Sequence, residues 1–297
     1  MMLSRFAMLR WAALLSAAVL AGCAPSRGLV PFQTYTASFT KVVEASEALI
    51  DRVAVAERQE ARHQFTGPSA TSIEFQDFRP TQYAYYATGV DPPLAAASRR
   101  AIGAVATYNA TLLALAEGKG LDDLKAGAGR FGAEIAGLLA LVGATPTFAP
   151  LTVALKAAGP AIDLALQAAS RAAFEDAFLK HYGTVDAILE LLGERVADNF
   201  EAKLTAGRRD ALSISGRRAH PVSDEQVARL RAEIEAADTA VYDWIALIAQ
   251  ARAALAATKA ALTSPVSPAI RADELAETAA RIRVLAASVK SALMQFH

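Results

Sequence analysis

The chain has 297 residues, enough for one large domain or two small ones, and 54% apolar residues with a mean hydropathy of +0.26 can fill a sizeable core. Its 30 basic and 30 acidic residues cancel, which excludes the broad basic footprint of a nucleic-acid-binding protein. Cys23 is the only cysteine, so an intrachain disulfide and a cysteine-based zinc site are excluded as well.

The first element is MMLSRFAMLRWAALLSAAVLAGC. It starts with Arg5 and Arg10 and no acid, continues through the apolar run Trp11 to Leu20, and ends in Leu20-Ala21-Gly22-Cys23. A basic start, a short apolar stretch and small residues make a secretory signal, too short for an ordinary spanning helix. The segment resembles the bacterial lipoprotein signal peptide with its lipobox. That resemblance implies cleavage of residues 1–22 and acylation of Cys23, including palmitate, as the new first residue. Loss of Arg5 and Arg10 takes the basic count from 30 to 28 against 30 acids. Position 24 is Ala. In well-studied lipoproteins Asp at that place retains the protein at the inner membrane, so the resemblance implies an outer-membrane anchor with the domain facing the periplasm.

Residues 23–33 contain Pro25, Ser26, Gly28 and Pro31 and read as a tether. From Thr34 to about Gln64 the stripe Phe39, Val42, Ser46, Leu49, Val53 and Ala56 alternates spacings of three and four, which predicts a helix. Residues 65–93 break that pattern with Gly67-Pro68, Arg79-Pro80 and Asp91-Pro92-Pro93. The break holds Phe75, Phe78, Tyr83, Tyr85 and Tyr86, a candidate partner-binding loop or an aromatic cap on one end of a bundle. Helix resumes from Leu94 to about Glu117, with Leu94, Ala97, Ala101, Val105, Tyr108, Leu112 and Leu115 on one face. Leu121 to Val142 is the next helix, followed by a turn from Gly143 to Pro150 and a short apolar piece ending at Gly159-Pro160.

A long helix is expected from about Ala161 to Leu204, with His181 inside its apolar stripe as a satisfied bundle histidine. Ala206 to Pro221 reads as a polar linker carrying Arg208, Arg209, Arg217 and Arg218. Ser223-Asp-Glu-Gln226 is a capping box, with Val222 and Val227 placed for a hydrophobic staple. Val227, Leu230, Ile234, Ala237, Val241, Trp244, Ile248, Ala251, Leu255, Thr258 and Leu262 then form a coiled-coil-like seam. A final helix is expected from about Ile270 to Phe296. No strand-rich region appears, apart from a short pair allowed inside Ser72 to Thr88. The fold class is therefore all-α: one domain, residues 34–297, built as an elongated antiparallel bundle of long helices around an apolar hairpin.

Four patterns touch on chemistry. Ser38-Phe39-Thr40-Lys41 matches S-x-x-K, but the K-T-G strand and α/β scaffold of that enzyme class are missing from the sequence. Glu60-Ala61-Arg62-His63 is half of a di-iron ligand set, and no second Glu-x-x-His accompanies it. The arginines of 206–221 suit lipid headgroups or a solvated linker. The glycines of Lys125 to Gly132 lack the Lys-Ser/Thr ending of a phosphate loop. No catalytic set, metal ligand set or cofactor is expected.

Ile135 to Leu155 is a run of 21 residues without a charge, which is spanning length. Pro146 and Pro150 interrupt it, so a hairpin is expected, with Ile135, Leu138, Leu139, Leu141, Val142, Phe148, Leu151, Val153 and Leu155 as its apolar surface. An all-round apolar hairpin is either the centre of a bundle or a membrane-inserting element. The layout resembles the helical pore-forming toxins of the cytolysin A type, in which an apolar hairpin interrupts very long helices, and that resemblance implies insertion of 135–155. The expected function is a non-enzymatic lipoprotein, held to the membrane by its N-terminal lipid, that binds a protein partner or serves a structural role in the envelope. The alternative is a membrane-active protein of the toxin type.

Overall fold

The computed structural model describes residues 29–66, 89–153, 155, 171–215, 223–263 and 268–295. These residues form seven α-helices and, among the described residues, no strand. The helices are α1 (Leu29–Thr66), α2 (Pro93–Ala116), α3 (Leu121–Leu141), α4 (Arg171–Leu191), α5 (Ala197–Ser215), α6 (Asp224–Thr263) and α7 (Pro268–Met294). A 3-10 turn (Pro146–Leu151) follows α3, and a π-helical segment (Leu192–Val196) joins α4 to α5 without a break.

The directions of the helices follow from which residues meet. Phe32 packs on Phe174 and Phe178, and Glu60 pairs with Lys203, so α1 runs parallel to α4–α5. Arg252 pairs with Asp186 and Arg208 with Glu233, so α6 runs antiparallel to them. Tyr35 meets Asn109, and Glu57 meets Ala95, which sets α2 antiparallel to α1. α3 lies back along α2, and α7 packs on α1 and α6. The result is an antiparallel bundle with α1 and α6 at its centre.

The expected stripes are the buried faces. Phe39, Val42, Ser46, Leu49 and Val53 on α1 are buried, as are all seven predicted stripe residues of α2. Both hydrogen bonds of the capping box form, Ser223 N–H to Gln226 Oε1 and Gln226 N–H to Ser223 Oγ, each at 3.3 Å. Val222, its staple partner, lies outside the described residues. The α6 seam is half-buried at Val227, Leu230 and Ile234 and fully buried from Ala237 to Thr258. Polar groups inside the core pair across helices. Trp244 Nε1–H donates to Ser46 Oγ at 2.8 Å, Asn109 Nδ2 donates to the Tyr35 hydroxyl at 3.2 Å, and the Tyr108 hydroxyl donates to the Ala177 carbonyl at 3.2 Å. Burial raises both tyrosine pKa values above the ordinary range.

Three expectations need correction. Residues 29–33 are the first turns of α1 and no part of a tether, because Phe32 is fully buried (0% exposed) and Pro31 sits where the helix has no N–H to lose. The polar linker begins later than expected: α5 continues through Arg208 and Arg209 to Ser215. Arg208 donates to Glu233 on α6 and to the Leu204 carbonyl of its own helix, and Arg209 pairs with Glu201 on α5 and with Asp238 on α6, so carboxylates of both helices take up these charges. His181 is buried, but its Nε2 has no hydrogen-bond partner, so this bundle histidine is only partly satisfied.

The hairpin residues separate by depth. Ile135, Leu138, Phe148, Leu151 and Leu155 are buried. Leu139, Leu141 and Val142 are half-buried against the core, and Val153 is 80% exposed. The single described helix long and apolar enough to cross a membrane, by length and composition, is α6, which carries the buried seam.

Candidate functional site

Two concave surfaces flank Gly89–Asp91, the described residues that precede α2. Phe75, Phe78, Tyr83, Tyr85 and Tyr86, like Cys23, lie outside the described residues.

The first surface is a cleft of about 290 Å³ between the last turns of α1, the start of α2, the 3-10 turn and α5. Its construction begins with a capping problem. α2 starts at Pro92-Pro93, and Pro92 has no side chain to cap the free N–H groups of the first turn. Glu57 of α1 supplies the acceptor instead: its carboxylate takes the Leu94 N–H at 3.2 Å and the Ala95 N–H at 2.9 Å. Burial pushes the Glu57 pKa above the usual carboxylate value, against the lowering effect of those two N–H groups and of Lys203. Glu60, one turn on, pairs with Lys203. On the far wall Asn199 Nδ2 donates to Thr147 Oγ1 at 3.2 Å and to the Arg195 carbonyl in the π segment at 2.9 Å. The Thr145 hydroxyl donates to the Leu141 carbonyl at 2.7 Å and closes α3.

The second surface is a groove of about 710 Å³ between α1, α2 and α3. Val43, Ile50, Ile102 and Leu141 supply apolar walls. Arg99 spans the rim, donating to Asp91 at 2.8 Å and to Asp51 at 2.8 Å. Burial works against the Arg99 charge, yet the two carboxylates outweigh it and raise its pKa above the ordinary value. The Arg100 guanidinium lies directly on Gly137, where any Cβ would collide with it. Gly127 admits Thr111 in the same way, which is how α2 and α3 approach closely.

The patterns that touched on chemistry are taken up by structure. The Ser38 hydroxyl donates to the Thr34 carbonyl at 2.8 Å, while Lys41 pairs with Glu44 at 2.8 Å. Glu44 also binds Lys290; the Lys290 and Lys41 hydrogen bonds hold its pKa down at about 2. Glu60 is committed to Lys203, and the His63 side chain lies outside the described residues. Among the described residues no group of three or more His, Cys, Asp or Glu side chains is placed to hold a metal ion. The sequence reading missed Glu57, Asn199 and Lys203. The uncapped Pro92-Pro93 start of α2 was the available signal, because such an end calls for an acceptor from elsewhere in the chain.

No protein-family model, no curated protein and no solved structure matches the chain.

Proposed function

We propose that the protein is a lipid-anchored outer-membrane lipoprotein whose periplasmic helical bundle binds a protein partner and performs no chemistry of its own. The observation that carries this reading is the position of Cys23. The sole cysteine closes a lipobox and lies six residues before α1, since 29 − 23 = 6. The bundle is therefore joined directly to the anchor. The partner surface in this reading is the end bearing the Glu57–Lys203 cleft, because the described residues on either side of the candidate aromatic segment, the end of α1 at Thr66 and Gly89 before α2, lie at that end. Burial of Ile135, Leu138, Phe148, Leu151 and Leu155 supports a core role for the hairpin.

Three experiments test the proposal. Cells fed a labelled fatty acid should incorporate it into the wild-type chain and not into Cys23→Ser. The Cys23→Ser mature chain should also stay unbound in liposome flotation. Flotation that Leu141→Asp abolishes would instead favour insertion of 135–155. In cells, a photo-crosslinker at Thr147 should give a discrete protein adduct that deletion of residues 75–86 removes, while one at exposed Tyr242 gives none. Equal adducts at both sites would reject the partner surface.

A further inference from the structure

A helix on the surface of a bundle ordinarily turns its charged side outward, and α7 does not. Its inner side is a regular seam, with Leu275, Ala279, Ile282, Ala286, Val289 and Leu293 buried. Its outer side repeats the pattern: Ala276, Ala280, Val284, Ala287, Ser291 and Met294 are all exposed, at spacings of three and four. At 100° per residue they fall within one stripe about 80° wide. Val284 is 69% exposed and Met294 70%. Val153 and Tyr242 are comparably exposed, but α6 carries no second large exposed apolar residue beside Tyr242, and the turn before Val153 carries none.

The charges of α7 border this stripe or turn away from it. Lys290 reaches Glu44 on α1 at 2.8 Å. Glu277 and Arg281 lie along one border, 2.6 Å apart, with both side chains more than half exposed. A helix that fits this face needs small residues where α7 has them and the opposite order of charge. α7 meets both needs when it is turned end for end. With a two-fold axis beside Ala280, the alanines let the helix axes approach to about 8 Å, and Val284 lies over Ala276 of the second copy. Glu277 then falls within one helical turn of Arg281 of the second copy, and the symmetry makes the same pairing a second time. A parallel arrangement would instead set Glu277 against Glu277 and Arg281 against Arg281.

We infer that the outer face of α7 is a self-association surface, on which two copies of the chain pair as an antiparallel dimer about Ala280. The surface involves neither the anchor nor the Glu57–Lys203 cleft. One helix face is a small interface, so pairing is expected at micromolar rather than nanomolar concentrations.

The test is sedimentation equilibrium of the mature chain carrying Cys23→Ser, from micromolar to submillimolar concentration. The average mass should climb towards twice that of the monomer. Val284→Glu, at an exposed position, should keep the melting curve of the parent and weaken dimerisation by about tenfold or more. Glu277→Arg and Arg281→Glu should each be monomeric, because each sets like charges across the axis. Mixing these two variants restores opposite charges at both pairings, so a one-to-one mixed dimer should form. A parent chain that stays monomeric at the highest concentration would overturn the inference. So would a dimer that Val284→Glu leaves intact, or two charge variants that remain monomeric when mixed.

Discussion

Phe32→Ala is the sharpest test of where the folded domain begins. Phe32 is fully buried, with its ring 5.2 Å from Phe174, 5.6 Å from Phe178 and 6.0 Å from Tyr35. Truncating a buried Phe to Ala costs about 3–5 kcal/mol, through lost transfer energy and the cavity left behind. For a domain of this size each kcal/mol lowers the melting temperature by roughly 2–4 °C, so a fall of about 10 °C is expected. Val30→Ala, two residues away on the other side of the helix and 54% exposed, should stay within about 0.5 kcal/mol of wild type. The assay is thermal unfolding followed by far-UV circular dichroism, on the mature chain carrying Cys23→Ser so that no lipid contributes. A Phe32→Ala loss below about 1 kcal/mol would mean that residues 29–33 do not belong to the cooperative unit, and the tether would then reach Thr34 after all.

Further predictions concern the polar groups in the core. Ser46→Ala leaves Trp244 Nε1–H buried without its acceptor, which should lower the urea midpoint by the equivalent of about 1–3 kcal/mol. The Ser46→Ala, Trp244→Phe double variant should lose less than the sum of the single losses. His181 gives a pH dependence: burial and Lys180 hold its pKa below 6.5. As pH falls through 6.5 the unfolded chain takes up a proton that the folded chain refuses. Stability therefore drops on the acid side, with a slope of at most ~1.4 kcal/mol per pH unit. In His181→Phe the difference in urea midpoint between about pH 7.5 and 5.5 should shrink. An unchanged difference would remove His181 as the cause.

Much of the fold was legible because helix periodicity is a direct consequence of burial. The α2 stripe and the capping box could be read residue by residue. The start of α1 was not, because Pro31 suggested a breaker, although Phe32, Tyr35 and Phe39 continue the three-and-four spacing ahead of Val42. A proline in the first turn of a helix is no breaker, and the aromatic spacing was the better guide. The end of α5 was misjudged for a related reason. Polar composition resembles a linker until the charges prove to be paired across helices, as Arg208 is to Glu233. The cleft was the least legible part. Glu57 and Lys203 come from segments far apart in sequence, and only the packing of α1 on α2 and α5 brings them together.

The π-helical segment was also written in the sequence. Up to Ile188 the buried stripe alternates three and four: Phe174, Phe178, His181, Val185, Ile188. From there Leu192, Val196, Phe200 and Leu204 are all buried at unbroken spacings of four. In an α-helix each step of four advances the face by about 40°, so four steps would turn the stripe by ~160° and carry it off the core. The wider π turn absorbs one extra residue and returns Phe200 to its place, 5.2 Å from Trp244. Gly193 sits at the bulge, where a Cβ would come within 3.3 Å of Ile248 on α6. This account makes an unusual prediction about deletions. Removing exposed Glu194 should convert the bulge into ordinary α-helix and keep both halves of the stripe facing the core, at a cost of about 1–2 kcal/mol for rearranged contacts. Removing Lys180, equally exposed but within regular α-helix, rotates everything on one side by about 100° and should abolish cooperative unfolding. Circular dichroism melts of the two deletions decide the matter. If the Glu194 deletion unfolds as readily as the Lys180 deletion, the bulge is not an absorbed insertion, and the run of fours needs another explanation.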